Sequence, residues 1–186
     1  MIPCYVSGAG MFAGEPTWSF KTLVIGWLER TALGYDTRFR YYSAQFPELG
    51  AADLARRVCD PIEFYDQDWP VYRDAEVRAG LPEAEALAKF VAERDARFRN
   101  DAHAAIYCFD EASIGSGINV MRFVYARKPV LGFYSADAGV RQINLTNLLQ
   151  LKLEFPKQVW LATYHTGNDI TAQLGTWLSA LRPPAS

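Results

Sequence analysis

The chain has 186 residues, of which half are apolar and 22% are charged, a composition typical of one globular domain, here spanning residues 1–186. The net charge of −2 argues against a nucleic-acid polymer as partner, because such a partner needs a concentrated basic surface. Since no apolar run approaches the roughly 20 residues of a membrane span and no signal peptide is visible, we expect a cytoplasmic protein with no membrane partner.

The chain opens with a predicted strand, a glycine turn and a helix. Ile2–Ser7 is apolar and strand-like, and the small residues Gly8, Ala9 and Gly10 that follow let the backbone turn or approach a ligand. Residues 18–31 carry apolar side chains at helical spacing, and Gly34 is the predicted stop of this helix. Residues 38–45 form a second, weaker candidate strand.

Residues 46–80 have no clear period and contain three prolines and several aromatic residues. We interpret them as a short helix over residues 51–58 followed by a long ordered excursion. Excursions of this length are often functional, and a variable insertion explains the same pattern. The aromatic residues of segment 64–72 need burial, and aromatic residues are enriched at protein interfaces, so this segment predicts a homo-oligomer.

The second half of the chain alternates helices with buried strands. The predicted elements are a helix over residues 82–100, a strand over 104–109, a loop over 110–117, a helix over 118–126, strands over 129–134 and 158–164, and a helix over 170–181. This alternation predicts an α/β fold, namely a doubly wound, flavodoxin-like sheet of five mainly parallel strands with helices on both faces. Ligands bind beyond the carboxyl ends of such strands, so the loops over residues 8–15, 110–117 and 135–144 should converge on a site.

The cysteines and histidines predict no metal centre. Two of the three cysteines lie in apolar strand-like runs, and the odd number argues against a disulfide framework. We therefore interpret Cys4, Cys59 and Cys108 as buried, inert thiols. His103 and His165 are far apart in sequence, and no spacing is typical of a zinc site. We expect neither a metal nor a cofactor.

Three segments resemble the nucleoside 2-deoxyribosyltransferase family. The opening strand and turn, YVSGAGMF at residues 5–12, is a weak match, because glycine turns follow the first strand in many nucleotide-binding folds. Residues 99–134, RNDAHAAIYCFDEASIGSGINVMRFVYARKPVLGFY, match the family pattern of helix end, buried strand, acidic loop, glycine-rich helix start and exit strand without gaps. The segment QINL at residues 142–145 resembles a further family motif.

The resemblance implies an enzyme that transfers or hydrolyses an N-glycosidic bond of a nucleoside or nucleotide. In the family a glutamate attacks the sugar and forms a glycosyl-enzyme, since a carboxylate both stabilises and captures the oxocarbenium-like carbon. The matching position here is Asn119, and the acidic-loop position is Ser113. Glu93 keeps a third acidic position. Asn144 keeps an asparagine that in family members reaches a neighbouring subunit's site.

Three interpretations of Asn119 follow, because an amide is uncharged and a poor nucleophile. The site has kept binding and lost the chemistry, with Asn119 bonding a sugar hydroxyl. Alternatively another carboxylate, Glu111, Asp110 or Glu93, has taken over the reaction. The third interpretation is that the register is locally wrong.

The predicted site combines catalytic positions with a substrate-binding set. The catalytic positions are Asn119, Glu93 and Ser113, and the substrate-binding residues are Gly8, Gly10, Met11, Phe12, Asp110, Glu111, Gly115, Gly117 and Asn144. Each of these residues also has a structural interpretation. The glycines can be simple turn or helix-entry residues, Met11 and Phe12 can be core residues, and the acidic residues can be solvated. The sequence therefore predicts either a nucleoside-metabolising enzyme or an inactive nucleoside-binding or sensor protein. An unrelated flavodoxin-like binding domain is the third alternative.

Overall fold

A computed structural model of the chain describes residues 1–8, 14–50, 53–54, 66–111 and 114–181. The elements within these ranges, in chain order, are β1 (Ile2–Ser7), α1 (Glu15–Thr31), β2 (Gly34–Asp36), α2 (Thr37–Gln45), α3 (Trp69–Arg78), α4 (Glu83–Asp101), β3 (Ala104–Cys108), α5 (Ile114–Tyr125), β4 (Val130–Ser135), α6 (Leu145–Glu154), β5 (Val159–Tyr164) and α7 (Gly167–Leu181).

The strands form one five-stranded sheet in the order β2-β1-β3-β4-β5, and every neighbouring pair is parallel. The central strand β3 is buried at all five of its residues, as expected for a parallel strand that is covered on both faces. The interleaved helices and this strand order give the flavodoxin-like topology, so the predicted fold is confirmed.

The prediction of a strand over residues 38–45 is wrong, because these residues form helix α2. The carboxylate of Asp36 accepts a hydrogen bond from the backbone N–H of Phe39 at 2.8 Å and caps the helix. Gly34 is the first residue of β2 and not a helix stop; a Cβ there would lie 2.7 Å from the carbonyl oxygen of Ile2. Helix α1 ends instead at Thr31, and its C-cap residue Ala32 has a left-handed φ of 52°.

Three further helices differ from the prediction. Helix α5 begins at Ile114, inside the predicted loop over 110–117, so Gly115 and Gly117 are helical. Helix α6 was not predicted, and it begins directly after Asn144 of the QINL segment. Helix α3 lies within the predicted excursion. The short helix predicted over residues 51–58 lies largely outside the described residues.

A small second cluster anchors α3 onto α4. Trp69 is buried, and its ring lies 5.3 Å from that of Phe90. The Tyr72 ring lies 5.1 Å from the same phenylalanine, edge to face. These two aromatic residues of the excursion therefore pack within their own chain. No helix among the described residues combines the length and the apolar character needed to cross a membrane.

Candidate functional site

Asp110, two residues beyond the end of β3, joins the carboxyl ends of three strands. Its side chain is fully buried. One carboxylate oxygen accepts from the backbone N–H of Ser135, the last residue of β4, at 2.6 Å. The other accepts from the hydroxyl of Tyr164, the last residue of β5. Its backbone carbonyl accepts from the N–H of Gln142 at 2.6 Å. Asp110 therefore organises this edge of the sheet.

The groups around Asp110 are donors near neutral pH. Burial and the charge of Asp110 raise the pKa of the Cys108 thiol to about 12, and its sulfur lies 3.4 Å from the carboxylate. Burial and the hydrogen bond to Asp110 raise the pKa of the Tyr164 hydroxyl. Cys4 is also a buried free thiol whose pKa burial raises. These two thiols match the predicted inert class, while Cys59 lies outside the described residues.

Glu111 is a buried carboxylate, and within the described part of the chain only one of its two oxygens has a hydrogen-bond partner. The residue is 8% exposed, and Oε1 accepts from the backbone N–H of Gly14 at 2.6 Å. Oε2 is buried and has no hydrogen-bond partner among the described residues. Gly14 directly precedes α1, and a Cβ on it would lie 2.8 Å from Glu111 Oε1. Glu111 thus connects the end of β3 with the start of α1, and its second oxygen is buried without a partner among the described residues.

Gly8 and α5 complete this part of the edge. The Ser116 hydroxyl, in the first turn of α5, donates to the carbonyl oxygen of Gly8. A Cβ on Gly8 would lie 2.8 Å from Thr17 and 3.2 Å from the Cβ of Cys108, so a side chain has no room there. The structure therefore brings Gly8, Asp110 and Glu111 of the predicted site together, beside the N-termini of α1 and α5.

The predicted catalytic residues Asn119 and Glu93 have separate partners. Asn119 lies on α5, half-buried, and its side-chain oxygen accepts from the Arg99 guanidinium at 2.9 Å. Glu93 is exposed on α4 and accepts from the Tyr72 hydroxyl at 2.9 Å. No described contact joins the two residues. Ser113, Gly10, Met11 and Phe12 lie outside the described residues.

The remaining predicted residues lie at helix starts. Gly115 and Gly117 are exposed in the first turn of α5, where backbone N–H groups lack intrahelical acceptors. The space around Gly117 is open, since an added Cβ would meet nothing within 4 Å. Asn144 caps α6 by accepting from the N–H of Thr146 at 2.8 Å, which accounts for this residue structurally.

Gly14 and Ser135 lie in loops that the sequence placed at this site, although neither was named as a site residue, and Tyr164 lies outside those loops. Ser135 and Tyr164 are the last residues of β4 and β5, so the rule that ligands bind at carboxyl ends was a usable signal for both. Nothing in the sequence indicated that Arg99 binds Asn119, because the direction in which the Arg99 side chain points depends on how helix α4 packs.

The Glu111 carboxylate has an acceptor oxygen, Oε2, without a partner among the described residues, and its other oxygen is bonded to the N–H of Gly14 directly before α1. Such an acceptor oxygen suits ligand groups that donate a hydrogen bond. Within the described ranges, no group of three His, Cys, Asp or Glu side chains is placed to hold a metal ion. No protein-family model matches this sequence and no curated protein matches it, so the resemblance to nucleoside 2-deoxyribosyltransferases remains a prediction.

Proposed function

We propose that the carboxyl edge of the sheet binds a nucleoside or nucleotide through its sugar, and that Glu111 is the carboxylate that meets the sugar. The observation that carries the proposal is the buried Oε2 of Glu111, which has no partner among the described residues. A buried carboxylate oxygen without a donor is destabilising by about 1–3 kcal/mol or more. A ligand hydroxyl that donates to Oε2 removes this penalty.

The first turn of α5 supplies the complementary donors. Its backbone N–H groups point out of the helix start, and the glycines there leave the backbone exposed. A hydroxyl can donate to Glu111 and accept from such an N–H at the same time. Sugars carry several hydroxyls on adjacent carbons, so a ribose or deoxyribose fits this pairing. Among compounds that contain such a sugar, we choose nucleosides because the sequence resembles the nucleoside 2-deoxyribosyltransferases.

Covalent transfer through Asn119 is not part of the proposal. The Asn119 amide is uncharged, and its oxygen is bonded to Arg99. Loss of the covalent nucleophile of an enzyme such as subtilisin lowers turnover by about 10⁶. The function that we propose is therefore nucleoside or nucleotide binding without efficient deoxyribosyl transfer.

A second candidate function is N-glycosidic bond transfer or hydrolysis with Glu111 as the nucleophile. The observation that favours it is the same unpartnered oxygen, because an attacking carboxylate oxygen must be free of other bonds. In this reaction Oε2 bonds to the anomeric carbon and the base leaves with the bond's electron pair. Water or a second base then releases the sugar and restores the carboxylate.

Equilibrium binding and product analysis test both functions. A panel of ribo- and deoxynucleosides and their monophosphates is titrated into the protein, and each mixture is then analysed by chromatography. We expect binding by the unmodified chain and at least tenfold weaker binding by Glu111→Gln, which retains the shape and loses the charge. Glu154→Gln is the matched control, because Glu154 is an exposed glutamate at the end of α6, away from this edge.

The outcomes separate the two candidates. Binding without product supports the binding function, and product that disappears in Glu111→Gln supports the enzyme. If no compound of the panel binds the unmodified chain, the proposal is wrong. If product still forms with Glu111→Gln but not with Asn119→Ala, the reaction depends on Asn119, the position that the sequence predicts, and not on Glu111.

We also propose a homo-oligomer, as the sequence predicts, but through a different surface. Trp69 and Tyr72 pack within their own chain, so they do not need a second copy for burial. Helix α5 carries large apolar side chains on its exposed face, with Ile114 86% and Tyr125 77% exposed. Light scattering tests the proposal: Tyr125→Glu should shift an oligomer towards monomer, and a monomeric unmodified chain would contradict it.

A further inference from the structure

A cleft of about 340 Å³ lies between α4 and α5, and its charge differs in sign from that of the whole chain. Three basic residues, Arg99, Arg122 and Lys128, line it, and its lining includes no acidic residue among the described residues. The apolar part of the wall includes Ala92, Ala96 and Phe123. The chain as a whole carries a net charge of −2, so the cleft is a local concentration of positive charge.

Lys128, at the cleft, donates hydrogen bonds from its ammonium to three backbone carbonyl oxygens. Its ammonium donates to the carbonyl oxygens of Arg99 at 2.8 Å, Asn100 at 2.8 Å and Ala102 at 2.6 Å. These three bonds use all three of its donors. The carbonyls belong to the end of α4, the negative end of the helix dipole. Lys128 therefore neutralises the group that would otherwise repel an anion.

The two arginines retain donor capacity. Arg99 is 8% exposed, and the acceptor of its Nη1 is the neutral amide oxygen of Asn119. The ion pairs among the described residues involve neither Arg99 nor Arg122. Each guanidinium has five N–H donors. Arg99 is buried, and a buried charge without a counter-charge is destabilising, whereas Arg122 is exposed on α5. Arg99 and Arg122 are therefore two positive charges of the cleft to which an anion can bind.

We propose that this cleft binds a phosphate monoester that carries an apolar or aromatic group. A phosphate monoester has a charge of about −1.5 to −2 at neutral pH, which matches two guanidiniums. Arginine binds phosphate through paired, parallel N–H bonds. The alanines that line the cleft provide apolar contacts for the attached group, and the volume of about 340 Å³ falls at the small end of the range of ligand sites, about 300–1,000 Å³.

This site is separate from the one at the carboxyl edge. Lys128 lies two residues before β4 and Asn100 four residues before β3, so both approach the amino ends of the strands. The inference therefore does not depend on nucleoside binding. A phosphate ester that is not a nucleotide can therefore test this inference independently of the proposed nucleoside site.

Phenyl phosphate tests the inference by calorimetric titration at low ionic strength. We expect binding that weakens in high salt, because charges drive it. Arg122→Gln should weaken binding at least about tenfold, since it removes a charge-assisted pair of hydrogen bonds. The control is Arg127→Gln; Arg127 is an arginine two residues after the end of α5, exposed like Arg122, and it does not line the cleft. Phenol should not bind.

A second measurement locates the ligand without any variant. In an NMR titration, phenyl phosphate should shift the amide signals of Ala96, Asn100 and Arg122 and leave that of Glu111 unchanged. Absence of phenyl phosphate binding overturns the inference. Equal affinity in Arg122→Gln and Arg127→Gln overturns it as well, as does a set of shifts that lies outside the cleft.

Discussion

Glu111 and Asn119 differ in what surrounds their polar side-chain atoms. Glu111 has one oxygen held by Gly14 and one buried oxygen without a partner in the described residues. Asn119 has its oxygen bonded to the largely buried Arg99. The sequence analysis placed Asn119 among the catalytic positions and Glu111 among the substrate-binding residues, because a residue type does not reveal whether its polar atoms are already engaged.

Asn119→Glu should not restore deoxyribosyl transfer. The new carboxylate would be drawn to the Arg99 guanidinium, which already bonds the residue at this position at 2.9 Å. We expect the free energy of unfolding to rise by roughly 1 kcal/mol, because a charged acceptor replaces a neutral one. The measurements are urea denaturation and a base-exchange assay by chromatography.

The double variant Asn119→Glu with Ser113→Asp is the companion experiment, since it restores both acids that the family resemblance implies. We expect it to lack exchange activity too. Robust exchange by either variant would contradict the assignment of Asn119 to the Arg99 pair.

Asp169 supplies a pH-dependent contribution to stability. Its carboxylate accepts from the backbone N–H groups of His165 at 3.0 Å and Thr166 at 2.8 Å at the start of α7. These bonds lower its pKa below the ordinary value. A lowered carboxyl pKa stabilises the fold above about pH 4, and this stabilisation disappears as the pH falls through the folded pKa.

Thermal unfolding across pH tests this assignment with Asp169→Asn, which mimics the protonated carboxyl. The variant should melt below the unmodified chain at neutral pH, and the two melting temperatures should converge in acid. A difference that is constant from neutral pH to acid would mean that the charge of Asp169 does not contribute.

At the scale of elements, helix starts account for most of the differences from the sequence prediction. Residues 38–45 were predicted as a weak strand, but Asp36 caps them as α2. Asn144 likewise caps α6. Both caps are visible in the sequence, and N-cap residues before a short apolar run are a known helix signal. The buried strands β3 and β4 were predictable because continuous apolar runs between helices have few other interpretations.

Asp36→Ala should destabilise the protein by about 2–4 kcal/mol. The side chain is fully buried and accepts from two backbone N–H groups, those of Val6 and Phe39, each at 2.8 Å. The alanine leaves both donors unsatisfied, one in β1 and one in α2. Urea denaturation measures the loss. The matched cap variant Asn144→Ala should lose only about 1 kcal/mol, because its single bond is exposed; equal losses would contradict this account of Asp36.

Gly132→Ala should also destabilise the sheet. A Cβ on this residue of β4 would lie 2.2 Å from the Phe109 ring, which is stacked on Tyr107. Overpacking of this kind is destabilising by about 1–3 kcal/mol. Phe109→Leu should recover part of the loss in the double variant, as measured by urea denaturation. A Gly132→Ala protein as stable as the unmodified chain would show that the ring moves aside freely.

At the scale of the whole molecule, the topology positions the candidate site and the helix rotations decide its chemistry. The parallel α/β topology was predictable from the alternation of elements, although the second strand is Gly34–Asp36 and not residues 38–45, and this topology brings Gly8, Asp110 and Glu111 to one edge. The partners of Asn119 and Glu93 were not predictable, because packing sets the rotation of each helix about its axis. The hydrogen bonds from Arg99 to Asn119 and from Tyr72 to Glu93 therefore could not be predicted from the sequence.

The central claim is that a nucleoside binds at the carboxyl edge beside Glu111. An NMR titration with a deoxynucleoside tests it most directly, because each backbone amide reports its own surroundings. We predict the largest shifts at Gly14, Glu111 and Ser135, with Lys128 at the amino edge unaffected and the shifts lost in Glu111→Gln. Shifts centred on the cleft between α4 and α5, or shifts unchanged in Glu111→Gln, would contradict the account.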